Sequence, residues 1–193
     1  MRMIRSGFRL LPVITGVAML LGTSFAARAQ EPTAAGLWQK VEKGKPVIWV
    51  LMIDHDGTFE GVMARMFPES EENAGLICSK CTDDRKNAPV LGISFIRAMK
   101  RKGLEYLGGN VLDPRDGDIW KAKMTVSPDG QALTLRGYVL TPMLGKNETW
   151  YRLPESAMAS VDPAIIAKYL PAQAVAPKPP VVTKKHPVPL RAH

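Results

Sequence analysis

Between Gly36 and Leu153 the chain is cut into short apolar runs by turn-forming residues at intervals of about ten residues, the spacing of antiparallel β structure. Val47 to Ile53 is a continuous apolar run ending at Asp54-His55-Asp56-Gly57, and Thr58 to Arg65 then alternates with Phe59, Gly61 and Met63 on one face. That pattern is a hairpin. Strand character returns at Leu91 to Met99 and Glu105 to Leu112, around the basic turn Lys100-Arg101-Lys102-Gly103. After Asp113-Pro114-Arg115-Asp116-Gly117, the residues Trp120, Ala122, Met124 and Val126 alternate with Lys121, Lys123 and Thr125. Leu133, Leu135, Gly137 and Val139 repeat the alternation, and Asn147 to Leu153 closes the series. With Leu37 to Glu42 as the first, the count is about eight strands, the number at which an antiparallel sheet closes into a barrel just wide enough for side chains or one small ligand.

The ends differ from this domain. Arg2, Arg5 and Arg9 precede an apolar run from Leu10 to Leu21, and Ala27-Arg28-Ala29 has the small-x-small form of a signal-peptidase site. The run falls short of the ~20 residues that a helix needs to cross a bilayer. Residues 1–29 are therefore expected to be a cleaved signal peptide, 30–35 a short mature N-terminal segment, and the protein periplasmic or secreted, with no membrane span after cleavage. Without Arg2, Arg5, Arg9 and Arg28 the formal charge of +8 falls to +4, too mild for a nucleic-acid partner. Beyond the 36–153 domain, residues 154–170 form a linker and a short helix with Asp162 as N-cap and Pro163 at its first position; Ile165, Ile166 and Tyr169 suit docking on the barrel. Residues 171–193, rich in Pro, Lys and Arg, have the composition of a disordered tail, open to an envelope partner.

A long polar excursion, Met66 to Pro89, carries both cysteines and has the length of a functional or disordered loop or lid. Cys78-x-x-Cys81 in an oxidising compartment is expected to form a disulfide that shapes this loop. The competing reading is thiol-redox chemistry, which needs a low-pKa thiolate, and Lys80 is the one local group that would favour it. Haem attachment is excluded because position 82 is Thr, and zinc lacks partners because His55 is the sole histidine within the domain. Asp54-His55-Asp56 fits either a polar hairpin tip or an acid–base group. Asp113, Asp116 and Asp118 fit an Asx-type turn. No Ser-His-Asp spacing or phosphate loop is present, so the residues call for no cofactor and no catalytic group is assigned.

Several separated blocks resemble a known bacterial family of exported proteins, the domain of unknown function 2147 family. They are Gly36-Leu37-Trp38, Cys78-Ser79-Lys80-Cys81, Gly108 to Pro114 with Asp116-Gly117, Leu135-Arg136-Gly137-Tyr138, Leu144-Gly145, and Thr149-Trp150-Tyr151-Arg152. The resemblance implies fold and compartment, not an activity. A weaker similarity, Gly36-x-Trp38 with Arg152 on the last strand, looks like the barrel-closing Trp and Arg pair of lipocalin-like barrels. The expectation is an all-β, eight-stranded, lipocalin-like antiparallel barrel with a short C-terminal helix. Trp49, Phe59, Met63, Phe95, Trp120, Met124 and Tyr138 are its inward candidates, lining space for a small apolar or amphipathic envelope molecule. A filled barrel acting as a structural or interaction module is the alternative.

Overall fold

The computed structural model describes residues 30–68 and 76–174. The segment expected to be a signal peptide and the tail from 175 onward lie outside the described residues. Eight strands close into one antiparallel barrel in sequence order: β1 (Gly36–Glu42), β2 (Lys45–His55), β3 (Thr58–Met66), β4 (Ser94–Lys102), β5 (Glu105–Leu112), β6 (Ile119–Val126), β7 (Ala132–Tyr138) and β8 (Lys146–Arg152). Closure is made by β1 and β8, with Trp38 opposite Arg152, Gln39 opposite Tyr151 and Lys40 opposite Trp150. The ring leaves no sheet edge unpaired, which removes the usual route to edge-to-edge association.

Two apolar clusters lie on the two sides of the β1–β3 wall. The interior holds Trp38, Val50, Met52, Phe59, Met63, Ile96, Met99, Tyr106, Met124, Leu133 and Trp150, among others. Outside, Leu37, Leu51, Ile53, Val62 and Ala64 are covered by Val161 and Ile165, with Trp49, Met158, Ile166 and Tyr169 at the margin. The covering elements are a 3-10 turn at Glu155–Ser160 and helix α1 (Pro163–Tyr169). Asp162 caps α1 by accepting the Ala164 N–H at 2.8 Å, and the Tyr169 hydroxyl donates to Gly92 O. Burial on both faces is why the Val47–Ile53 run is continuous rather than alternating.

Two elements differ from the sequence reading. The fourth strand starts at Ser94, not Leu91, and runs to Lys102. Residues 90–93 instead make irregular bonds to β3, Met63 N–H to Ile93 O and Gly92 N–H to Met63 O, at a break in the ladder. The start of the expected disordered tail is ordered, because Pro171–Ala174 forms a further helical turn, α2, whose Gln173 and Ala174 N–H groups donate to Leu170 O.

Candidate functional site

The lower end of the barrel, where β1 begins and β8 ends, is sealed by Trp38, Arg152 and the segment 31–35. Trp38 is fully buried, and the Arg152 guanidinium carbon lies 4.1 Å from its ring centroid. The same guanidinium donates to three backbone carbonyls: Gly130 O, Ala35 O at 2.9 Å, and Thr33 O. A planar cation on an indole face loses hydration but here keeps one hydrogen bond from each of its three nitrogens, a condition under which such a contact stabilises. Burial pushes the Arg152 guanidinium below the usual arginine value. Gly36 permits this approach, since a Cβ there would sit 3.0 Å from Arg152 Nη1 at a backbone φ of +119°. Ala34 completes the seal, its N–H donating to the Tyr106 hydroxyl and its carbonyl accepting from Trp38 Nε1, both at 2.7 Å.

The upper end is covered on one side by the described part of the excursion. Cys78 and Cys81 form a disulfide, and both residues are 0 % exposed. Asn87 N–H donates to Cys78 O and Cys78 N–H to Ala88 O, which folds the segment back on itself. Arg85, nearly buried, donates through Nε and Nη2 to Asp83 and through Nη1 to Ser94 O. Arg97 grips Asp84 in a two-pronged pair at 2.8 and 2.9 Å. Across the mouth, Gly117 meets the loop backbone: a Cβ there would overlap Lys80 O. These contacts make residues 76–93 a plug rather than a loosely patterned lid. Both sulfurs are shielded from solvent, whereas thiol–disulfide exchange needs access to a sulfur of the bridge.

Where β1 and β8 meet, the mouth is polar. Lys40 donates to Glu148 at 2.8 Å and pairs with Glu42 at 2.9 Å. Burial pulls the Lys40 ammonium down, but the hydrogen bonds to Glu148 and Glu42, with their charges, outweigh it and hold the group above the ordinary lysine value. Its hydrogen bond and charge keep the Glu42 carboxyl below the usual range. The neighbouring turn is tied by Arg115, whose hydrogen bond holds Asp113 low.

The seven inward candidates divide. Phe59, Met63, Phe95 and Met124 are buried in the interior cluster, with Phe59 edge-on to Tyr106 at 4.7 Å. Trp120 lies at the mouth, 36 % exposed. Two expectations are corrected. Trp49 points outward, donating to Gln39 Oε1, with Phe67 tilted against its ring and Arg65 over both, because β2 is apolar on both faces and its pattern does not reveal which face is inside. Tyr138 sits opposite Lys121, on the outer face shared with Lys123 and Arg136, one position out of phase with Leu135 and Gly137. Trp150 and Tyr106, not among the candidates, are fully buried in the interior; Trp150 shares the parity of Arg152, which was the available signal. The Asp54–Asp56 tip is a turn: Asp54 Oδ1 accepts the Gly57 N–H, and His55 Nε2 lies 3.0 Å from Glu60. Asp116 likewise accepts the Asp118 N–H.

Trp at the start of the first strand, Arg on the last and a sequential eight-stranded ring define a lipocalin-like barrel. The chain belongs to the bacterial family described as "Uncharacterized protein conserved in bacteria (DUF2147)", whose model matches residues 36–152. Among solved structures it is similar to protein HP1028 of Helicobacter pylori, a protein described as belonging to the lipocalin family. The similarity has a TM-score of 0.57 at 19% identity and covers 68% of this chain and 91% of that one. Among curated proteins, none matches the sequence.

Proposed function

We propose that the protein is an exported, non-catalytic interaction module of the cell envelope, built on a barrel filled by its own side chains. One observation carries this reading: Trp38, Trp150, Tyr106, Phe59, Met52, Met99 and Met124 are each under 2% exposed inside an eight-stranded ring. A ring of that size has room for side chains or for one small ligand, not both. Two surface hollows lie outside the ring. One, of about 330 Å³, runs between the plug and α1 and is lined by the paired Asp84, Arg85 and Arg97 with Lys168 and Tyr169. Export rests on the N-terminal pattern of Arg2 to Ala29.

A second reading, a carrier of a small amphipathic molecule, is favoured by Trp150 Nε1, a buried side-chain donor that finds no acceptor among the described residues. Buried donors are nearly always satisfied, by a group of the protein, by water or by a bound molecule. Native mass spectrometry of the chain purified from its own compartment separates the two. The interaction reading expects the bare mass of a chain cleaved after Ala29. A companion mass that disappears on denaturation, and that a Trp150→Phe variant no longer retains, would establish the carrier.

A further inference from the structure

At the upper rim, beside the plug, the connection from β7 to β8 has a chemistry unlike the other turns. Lys43-Gly44, Asp56-Gly57, Asp113 to Gly117 and Ser127 to Gly130 are polar, as water-facing turns should be. The β7–β8 connection instead presents Val139, Leu140, Met143 and Leu144, the last three 76%, 88% and 74% exposed. Because Lys121 lies opposite Tyr138, the register places Ile119 and Trp120, the exposed first residues of β6, on the side of the sheet end from which Val139 and Leu140 continue, and all four are exposed.

The rim is held in place. Arg136 donates to Pro142 O, to Met143 O at 3.1 Å and to Asn147 Oδ1 at 2.7 Å. A 3-10 turn at Pro142–Leu144 adds Leu144 N–H to Thr141 O and Gly145 N–H to Pro142 O. Apolar side chains fixed outward in water mark a contact surface.

The charge on this flank identifies what it contacts. Lys121, Lys123, Arg136 and Lys146 take no part in the ion pairs among the described residues. Of the nearby acids, Glu148 is paired with Lys40, while Asp116 and Asp118 lie in the adjoining turn, so cations outnumber free carboxylates along this flank. Just below the rim, a hollow of about 420 Å³ is lined by Lys123, Thr125, Thr134, Arg136 and Asn147, all bearing polar groups suited to a phosphate or a glycerol. A second copy docked symmetrically through this rim would set these cations against one another.

We propose that the β7–β8 rim docks the protein on an anionic phospholipid bilayer, with Leu140, Met143 and Leu144 entering the interface and Lys121, Lys123 and Lys146 facing the headgroups. This rests on the exported, envelope-facing reading above and names the partner's chemistry.

The test is co-sedimentation of the full mature chain with vesicles of phosphatidylethanolamine and phosphatidylglycerol, and with vesicles of phosphatidylcholine alone. Binding is expected to the anionic vesicles, falling with salt, and weakened about tenfold by M143D/L144D and by K121E/K123E in variants whose melting is unchanged. Full binding by M143D/L144D together with loss in K184E/K185E would assign the attraction to the basic tail and overturn the proposal. Absence of binding to either vesicle would also overturn it, as would a dimer in sedimentation that M143D/L144D dissociates without any vesicle binding. The native-mass experiment is independent of these outcomes, so a bound small molecule there would remove the interaction reading whether or not the rim meets lipid.

Discussion

Arg152 is the side chain on which the lower end of the barrel depends, because one guanidinium satisfies three carbonyls from two separate segments and covers the Trp38 ring. Arg152→Ala leaves those carbonyls without their donor beside a buried indole, and is expected to cost about 3 kcal/mol in urea unfolding. Arg152→Lys should recover only part of that loss, since an ammonium cannot fork to three acceptors while lying flat on an aromatic face. Asp83 makes a separate prediction. The Arg85 guanidinium hydrogen bond lowers its carboxyl from 3.8 to about 2. A folded-state pKa below the unfolded one means stabilisation that is complete above the unfolded value and lost as pH falls through the folded value. Stability should therefore decline between about pH 4 and pH 2, and Asp83→Asn should flatten that part of a pH series of urea midpoints. Trp38 and Arg152 were legible because Gly-x-Trp on the first strand with Arg on the last resembles the closing pair of lipocalin-like barrels. Lys40, two residues from Trp38 on the same face, was passed over because a lysine in an alternating strand is ordinarily a solvated charge.

The excursion between β3 and β4 shows how an element can be visible in sequence without its role. Its length, polarity and Cys-x-x-Cys spacing stand out and point to a disulfide-shaped loop or lid, yet they do not say what that loop rests on. Pairing of Ile77 with Pro89 folds the described part on itself, and the close approach of Gly117 to Lys80 O, with Arg85 donating to Ser94 O, holds it against the mouth. A bridge closing so short a loop removes about 2 kcal/mol of unfolded-chain entropy at most. Reduction should thus lower stability by about 2 kcal/mol or less and leave the barrel folded, while hydrogen exchange speeds up around residues 76–93. Gly117→Ala acts on the same contact from the other side. Its Cβ would enter the Lys80 carbonyl and its φ of +83° disfavours any side chain, so a loss of about 3 kcal/mol is expected, with the plug rather than the barrel loosening first. Proteolysis of the native variant, reading cleavage near residue 80, checks this; cleavage unchanged from the parent chain would show that the contact is not what seats the loop.

At the scale of the molecule, the C-terminal segment is part of the barrel wall's packing rather than an appendage. Ile165 lies 6% exposed against Leu37, Leu51 and Val62, so Ile165→Ala should cost about 3 kcal/mol in thermal or urea unfolding. Ile165→Asp should expose the outer face of β1–β3 and increase binding of a hydrophobic dye. That double-sided burial also marks the boundary of what the sequence determined. Period-two alternation and regularly spaced Gly, Asp and Pro turns specify antiparallel strands, their number and their order, since those signals are local. The capping Asp162 and Pro163 specify the helix for the same reason. Which face of β2 is interior was left to tertiary structure, because both faces are apolar and only packing against α1 distinguishes them; this is why Trp49 lies outside. Whether the barrel encloses space was likewise undecidable locally. It depends on side chains from eight strands meeting at one centre, and on an excursion whose polar sequence conceals that two buried cysteines seat it over the mouth.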